Sequence, residues 1–293
     1  MCIRDSLTDN RIMKFVTISG LPRSGSTILG NLLQQHPDMT VEMDSCLSNI
    51  LTNISQHSEK VYTETQHTMK EMRVLYQSFM RAGISSWLEN LCDTNIYVDK
   101  DRSWAVDFDL LFNLVPPAKV IYVVRDLRGV ISSLEKMETV NRIMGPSTPE
   151  LYPFETRDDY NEVDLMDKRI ESYMQTDMIY TPLFALKEVL DCERNYLKNF
   201  KFVRYEDMME NPRKVLSGIY DFIGADDYEN DLNDVKQRYH NDSIYAPWGD
   251  HTIHPKVVSK KETYEFPLIK RKSQHKILRD YSWYYQFLYP NLK

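Results

Sequence analysis

The chain reads as an α/β protein, a P-loop-like three-layer fold with a central parallel sheet flanked by helices. Apolar runs open near residues 14, 95, 119 and 201, and each gives way to a segment with helical spacing. Strands alternating with helices make βαβ units and a parallel sheet. The run Lys119-Val120-Ile121-Tyr122-Val123-Val124 has no polar alternation, as suits a strand buried on both faces. The first run, Phe15-Val16-Thr17-Ile18, leads into Gly20-Leu21-Pro22-Arg23-Ser24-Gly25-Ser26-Thr27 and then Ile28-Leu29-Gly30-Asn31-Leu32-Leu33. Strand, glycine-rich turn and helix is the context in which backbone N–H groups and a helix N-terminus hold an anion.

Taken in order, a strand over 14–19 precedes a helix over 26–35, which His36-Pro37 ends because the residue before proline resists the α region. Ile28, Leu29, Leu32 and Leu33 form its core face, and Gly30 allows close approach to the sheet. Glu42 and Asp44 follow a short strand, with a helix from Ser45. Residues 61–92 read as two helices separated at Gly83, with Met69, Met72, Leu75, Tyr76, Phe79 and Met80 as core. A strand over 95–98 precedes the charged run Asp99-Lys100-Asp101-Arg102 and a helix over 104–114 closed by Pro116-Pro117. After the strand 119–124 comes a helix to about 137, an irregular stretch over 138–161, and helix over 162–199 interrupted near Pro182. A strand over 201–205, a helix over 213–223, an extended loop over 240–272 and an aromatic-rich helix over 274–288 complete the chain.

At 293 residues with 42% hydrophobic content, one large domain over 13–293 is expected. Residues 1–12 are a polar extension without an apolar leader core, and Met13 is read as the natural start. A net charge of −7 argues against nucleic acid as the main partner, yet leaves room for a local basic pocket. No apolar run approaches the roughly 20 residues of a membrane-spanning helix. The four cysteines, Cys2, Cys46, Cys92 and Cys192, form no C-x-x-C pair, so neither a zinc site nor a disulfide framework is expected; a reducing, cytoplasmic setting fits. His251 and His254 lack a supporting ligand set, and no metal is expected.

The loop has the spacing of G-x-x-x-x-G-K-[ST], except that Ser26 stands at the lysine position. A grip on the β- and γ-phosphates of a triphosphate is thereby weakened. Arg23 offers a planar guanidinium for an oxyanion instead. The plainer reading is a βα turn capped by Ser26 or Thr27. Three of the four expected strand ends carry a charged or glycine-rich run, and sites in parallel sheets lie at the carboxyl ends of strands. A second element is Arg125 with Ser132 and Ser133, two helical turns on.

Together, the loop and Val124-Arg125-Asp126-Leu127-Arg128-Gly129-Val130-Ile131-Ser132-Ser133 resemble the two nucleotide motifs of sulfotransferases that use 3′-phosphoadenosine 5′-phosphosulfate (PAPS). Asp99-Lys100-Asp101 resembles the Asn/Asp-Lys-Asp segment of protein-tyrosine sulfotransferases and related bacterial enzymes, and Val203-Arg204-Tyr205-Glu206-Asp207 with Asn211-Pro212 resembles a later family segment. The resemblance covers about residues 14–270. It implies that Arg23, Ser24, Gly25, Ser26 and Thr27 bind the 5′-phosphosulfate, Arg125 and Ser133 the 3′-phosphate, and that Lys100 is the catalytic lysine. Lys256 resembles a late lysine that closes over the nucleotide. In the tyrosine-sulfating relatives a Glu-Glu-Thr run follows His-Pro; here Asp44 stands at the matching spacing after His36-Pro37, with Glu42 two residues earlier. Either is a candidate base, and Asp44 is also a candidate helix N-cap.

The implied reaction is in-line sulfuryl transfer to a hydroxyl of a small molecule, glycan or peptide, with Arg23 and Lys100 neutralising the leaving phosphate. Two alternatives remain: a P-loop kinase-like phosphotransferase, and a nucleotide-binding module without catalysis. Trp87, Trp104 and Tyr152 are candidate acceptor-pocket aromatics, with Trp104 equally a core residue.

Overall fold

The computed structural model describes residues 13–61, 67–144, 162–191, 196–238, 253–257 and 264–291. Among the described residues five parallel strands form the sheet: β1 (Lys14–Gly20), β2 (Met39–Met43), β3 (Ile96–Lys100), β4 (Lys119–Val124) and β5 (Phe200–Arg204), in the order β2-β3-β1-β4-β5. Helix α1 (Ser26–Leu33) carries the chain from β1 toward β2, whereas β4 continues toward β5 on the other side. Connections therefore leave neighbouring strands β1 and β4 in opposite directions, and the crevice between their carboxyl ends is the topological switch point where such sheets bind ligands.

Alternate residues of the strands feed two cores. Phe15, Tyr97, Val120, Tyr122 and Val124 point into one, with α2 (Leu47–Val61), α3 (Met69–Leu91), α4 (Phe108–Leu114), α5 (Leu127–Met144), α6 (Glu162–Gln175), α7 (Tyr180–Asp191), α10 (Arg271–Asp280) and α11 (Ser282–Leu288) contributing. Val16, Ile18, Ile96, Val98, Ile121 and Val123 point into the other, against α1, α8 (Tyr205–Glu210) and α9 (Pro212–Ile223). This two-sided burial explains the unbroken apolar run of β4. Among the described residues no helix is long and apolar enough to cross a membrane.

Several elements differ from their expected form. Residues 69–91 make one helix through Gly83, because a Cβ there would meet only open space and no packing demands a break. Its start is fixed by a capping box between Thr68 and Glu71. Met72 and Met80 are buried, but Met69, Leu75 and Phe79 are exposed, so the core stripe is narrower than the apolar content implied. β3 runs on through Asp99 and Lys100, making those charges part of the sheet. Helix α2 starts at Leu47 rather than Ser45, and the 104–114 helix is a 3₁₀ turn, Arg102–Ala105, followed by α4. The break in 162–199 falls at 176–179, with Pro182 in the first turn of α7, where its missing N–H costs no helical bond. The last helix divides at Tyr281.

Helix α5 continues to Met144, so part of the expected irregular stretch is helical. Residues 1–12, the remainder of that stretch with Tyr152, much of 240–272 with His251, and Cys2 and Cys192 lie outside the described residues. Cys46 and Cys92 are free thiols.

Candidate functional site

The loop after β1 is shaped by its backbone. Gly20 has φ 138°, and a Cβ there would strike the Val123 carbonyl oxygen at 2.2 Å. Gly25 has φ 93° and occupies the N-cap of α1, leaving the first helical amides without a side-chain cap. Arg23 also lies in the left-handed region, at φ 60°. A non-glycine residue held there is uncommon, and such strain concentrates at functional turns. The buried Ser24 hydroxyl donates to the Leu21 carbonyl at 2.7 Å, so Ser24 shapes the turn from inside. Ser26 is buried and Thr27 half-buried in the first turn of α1. Gly30 admits close packing: a Cβ would press on Met43 at 2.8 Å.

Three of the expected groups meet beside this loop. Arg23 Nε donates to Ser133 Oγ at 3.1 Å. Arg125 donates from its guanidinium to the Arg23 carbonyl at 2.8 Å. The Arg125 guanidinium stacks on the Tyr205 ring, 4.4 Å from its centroid. That ring also packs on Gly25, where a Cβ would approach it to 2.6 Å. One aromatic side chain thus contacts both the Arg125 guanidinium and the turn at Gly25. Tyr205 lies inside a segment singled out in the sequence, but a ring beneath an arginine leaves no spacing signal.

One strand away, Lys100 Nζ lies 3.0 Å from both carboxylate oxygens of Asp44. The Asp44 N–H donates to the Lys100 carbonyl at 2.7 Å. Asp44 sits at φ 55°, a conformation that a short polar residue tolerates. It does not cap α2: Ser45 Oγ accepts from the Leu47 N–H at 3.1 Å instead. Lys100 is 7% exposed and Asp44 36%, so the carboxylate stands at the solvent side of the pair. Glu42 is engaged elsewhere, in an ion pair with Arg238 at 2.9 Å.

Two buried carboxylates flank Lys100 on the strand and anchor this turn. Asp99 Oδ2 accepts from Ser45 Oγ at 2.8 Å and from Trp104 Nε1 at 3.0 Å. Asp101 accepts from Ser48 Oγ at 3.2 Å and caps the following 3₁₀ turn through Ser103 N. Ser19 donates to the Asp101 carbonyl, joining the ends of β1 and β3. Burial pushes the Asp99 carboxyl up to about 7, against the opposing pull of the Trp104 and Ser45 bonds. The alternation along a strand could have separated these roles: Asp99 and Asp101 share one parity and Lys100 has the other.

Other expected positions are not brought here. Lys256 is exposed on the segment 253–257, which is tied to the 232–237 stretch through Val257 N to Leu232 O and Pro255 O to Val235 N. His36 is a helix-end residue, its Nδ1 accepting from Asp38 N and its Nε2 facing the Asp226 carbonyl. Trp104 is core. Trp87 is half-buried and donates to the Tyr97 hydroxyl. Among the described residues, no three His, Cys, Asp or Glu side chains are grouped to hold a metal ion.

Known proteins resemble this chain in sequence and in fold. The family model described as Sulfotransferase family matches residues 16–230. The protein-tyrosine sulfotransferase of Drosophila melanogaster is 28% identical over 134 residues, 43% of this chain and 26% of that protein. The chain thus spans about a quarter of the length of that curated relative. The sulfotransferase domain from the Synechococcus PCC 7002 olefin synthase shares the fold with a TM-score of 0.51 and 20% identity, covering 92% of this chain and 94% of that one. The sulfotransferase domain from the curacin biosynthetic pathway does so with a TM-score of 0.50 and 18% identity, over 93% and 98%.

Proposed function

The chain belongs to the sulfotransferase family, and on that premise we propose that it moves a sulfuryl group from PAPS to an acceptor hydroxyl. The observation that carries this reading is the meeting of Arg23, Ser133 and Arg125 at the ends of β1 and β4, one strand from the Lys100–Asp44 pair. The donor set suits a phosphosulfate: two guanidiniums meet beside the start of α1, which has no side-chain cap, an ammonium stands one strand away, and no lysine follows Gly25.

In this reading Arg23 and the loop from Ser24 to Thr27 hold the 5′-phosphosulfate, and Arg125 with Ser133 holds the 3′-phosphate. The resemblance adds Lys256, which the 253–257 segment carries exposed. The acceptor oxygen forms a bond to sulfur as the bond from sulfur to the phosphate oxygen breaks, and the electron pair leaves with the phosphate. Lys100 and Arg23 offset the charge that develops there. The acceptor proton passes to a carboxylate. Asp44 is favoured over Glu42 because it touches Lys100 and faces solvent, whereas Glu42 is paired with Arg238. The acceptor is a hydroxyl-bearing small molecule, glycan or peptide. Residues 13–293 act as one domain, and the cytoplasmic setting is carried by cysteine usage alone.

Titration with 3′-phosphoadenosine 5′-phosphate tests the donor half: micromolar-range binding is expected, and its absence would remove the reading. Turnover of labelled PAPS over an acceptor panel then separates an enzyme from a binding module.

A further inference from the structure

The aromatic helix at the end of the chain lies beyond residues 16–230 matched by the family model, and nothing in the proposed chemistry uses it. It nevertheless places three buried tyrosine hydroxyls against the turn that presents Arg125. Tyr284 donates to the Arg125 carbonyl at 2.9 Å. Tyr285 donates to Asp126 Oδ1 at 2.9 Å. Tyr289, just after α11, donates to Glu206 Oε2 at 3.0 Å, while Glu206 Oε1 accepts the Asp126 N–H at 2.9 Å.

The peptide between Arg125 and Asp126 is where β4 ends and α5 has not begun. Its carbonyl and its N–H lie outside both ladders, and buried backbone groups must find partners somewhere. Here Tyr284 of α11 serves the carbonyl directly, and Glu206, held by Tyr289, serves the N–H. Asp126 is itself fully buried, gripped by Arg128 at 2.6 Å, and caps α5 by accepting from Arg128 N at 2.9 Å. The third tyrosine completes the shell of that carboxylate. Burial raises the ionisation of Tyr284, Tyr285 and Tyr289 above the usual phenol range, so all three stay neutral donors.

We infer that Tyr284, Tyr285 and Tyr289 are positioning residues that set recognition of the donor's 3′-phosphate, by locking the Arg125–Asp126 peptide and with it the direction of the Arg125 guanidinium. The inference rests on the proposed donor and deepens it: discrimination between nucleotides with and without a 3′-phosphate is controlled from the C-terminal helix.

The test uses Tyr284→Phe, Tyr285→Phe and Tyr289→Phe in the full chain. Each keeps the ring and removes only the hydroxyl. Two calorimetric titrations compare 3′-phosphoadenosine 5′-phosphate with adenosine 5′-phosphate. Each lost hydroxyl should weaken the first by about three- to tenfold, the span of one net hydrogen bond, and leave the second unchanged. A purely packing role would weaken both alike or neither, and either result overturns the inference. Hydrogen exchange at the Asp126 amide reads the lock without any nucleotide. It should quicken in the Tyr284→Phe and Tyr289→Phe chains, and unchanged exchange would overturn the lock on its own. Equal affinity of the native chain for the two nucleotides would instead defeat the donor reading, which keeps the two failures apart.

Discussion

The two halves of the cleft are built by different means. At the ends of β1 and β4, Arg125 is fixed through its guanidinium to the Arg23 carbonyl, through its face to Tyr205 and through its own carbonyl to Tyr284. At the ends of β2 and β3, Lys100 and Asp44 hold each other, and the turn beneath them hangs on Asp99 and Asp101 through two serine hydroxyls. The first half is a socket whose geometry is set before any ligand arrives. The second, proposed as the reactive pair, stands beside the start of α2, where Cys46 and Ile50 are exposed. A fixed donor calls for preorganised donors of hydrogen bonds, because those cost no reorganisation during reaction. In the proposed reaction an acceptor must enter and leave, and the partly exposed Asp44 carboxylate gives that side room for it.

The sharpest way to break this contrast is to remove the reactive pair and watch the socket. Asp44→Asn is expected to lower kcat by about 10²–10⁴, the usual worth of a positioned base. Lys100→Ala should lower it by about 10²–10³, the cost of losing one donor at a developing negative charge. Affinity for 3′-phosphoadenosine 5′-phosphate should stay near its native value in both. A steady-state assay and a titration on the same preparations decide it. If Asp44→Asn turns over normally while Glu42→Gln does not, the base assignment moves to Glu42.

The converse substitution sharpens the socket. Arg125→Ala removes a charged hydrogen-bonding group worth about 1.5–3 kcal/mol, so the dissociation constant of 3′-phosphoadenosine 5′-phosphate should rise by roughly ten- to 150-fold. Saturating donor should restore most of kcat. Arg125→Lys should recover little, since an ammonium has neither the planar fork nor the face that stacks on Tyr205. A loss of kcat that saturation cannot restore would show that Arg125 acts on the chemistry and not on the binding.

The same contrast governs what could be read from the sequence. The meeting of the socket's side chains was legible because the groups proposed to hold the anion are contiguous: Gly20 to Thr27 in one turn, and Arg125 to Ser133 from the end of β4 into the first two turns of α5. Their convergence followed from the parallel sheet, once each was placed at a strand end. The reactive pair was half legible. Lys100 and Asp44 were named, but their contact depends on β2 and β3 being neighbours in register, and β2 was visible only as a short strand. The tyrosines were seen as crowding in the last helix, without a role, because their partners lie far back in the chain, 159 residues earlier for Tyr284 and Tyr285 and 83 for Tyr289, and no local spacing records such a pairing. Gly83 misled for the opposite reason: glycine is a local signal, and the tertiary context let the helix continue through it.

A last effect, on stability and not on turnover, bears on the ground beneath the pair proposed to be reactive. Asp99 and Thr17 are in register on β3 and β1, and Asp99 Oδ1 and Thr17 Oγ1 have no hydrogen-bond partner among the described residues. The Asp99 carboxyl is raised from 3.8 to about 7, chiefly by burial. Between those two values the folded chain holds a proton that the unfolded chain releases. The folded state therefore binds more protons across this window, and the contribution of Asp99 to stability falls as pH rises from about 4 to about 7. Asp99→Asn keeps an oxygen for Ser45 and Trp104, cannot ionise, and brings an amide donor toward Thr17. Relative to the native chain it should gain stability on going from pH 5 to pH 8, on the order of a few kcal/mol. Urea denaturation at the two pH values measures the difference, and parallel profiles would mean that Asp99 ionises as an ordinary carboxylate. The substitution also separates charge from geometry in the reactive half: the Ser45 bond survives it, so a fall in kcat would be traced to the lost negative charge beside Lys100 and not to a displaced Asp44.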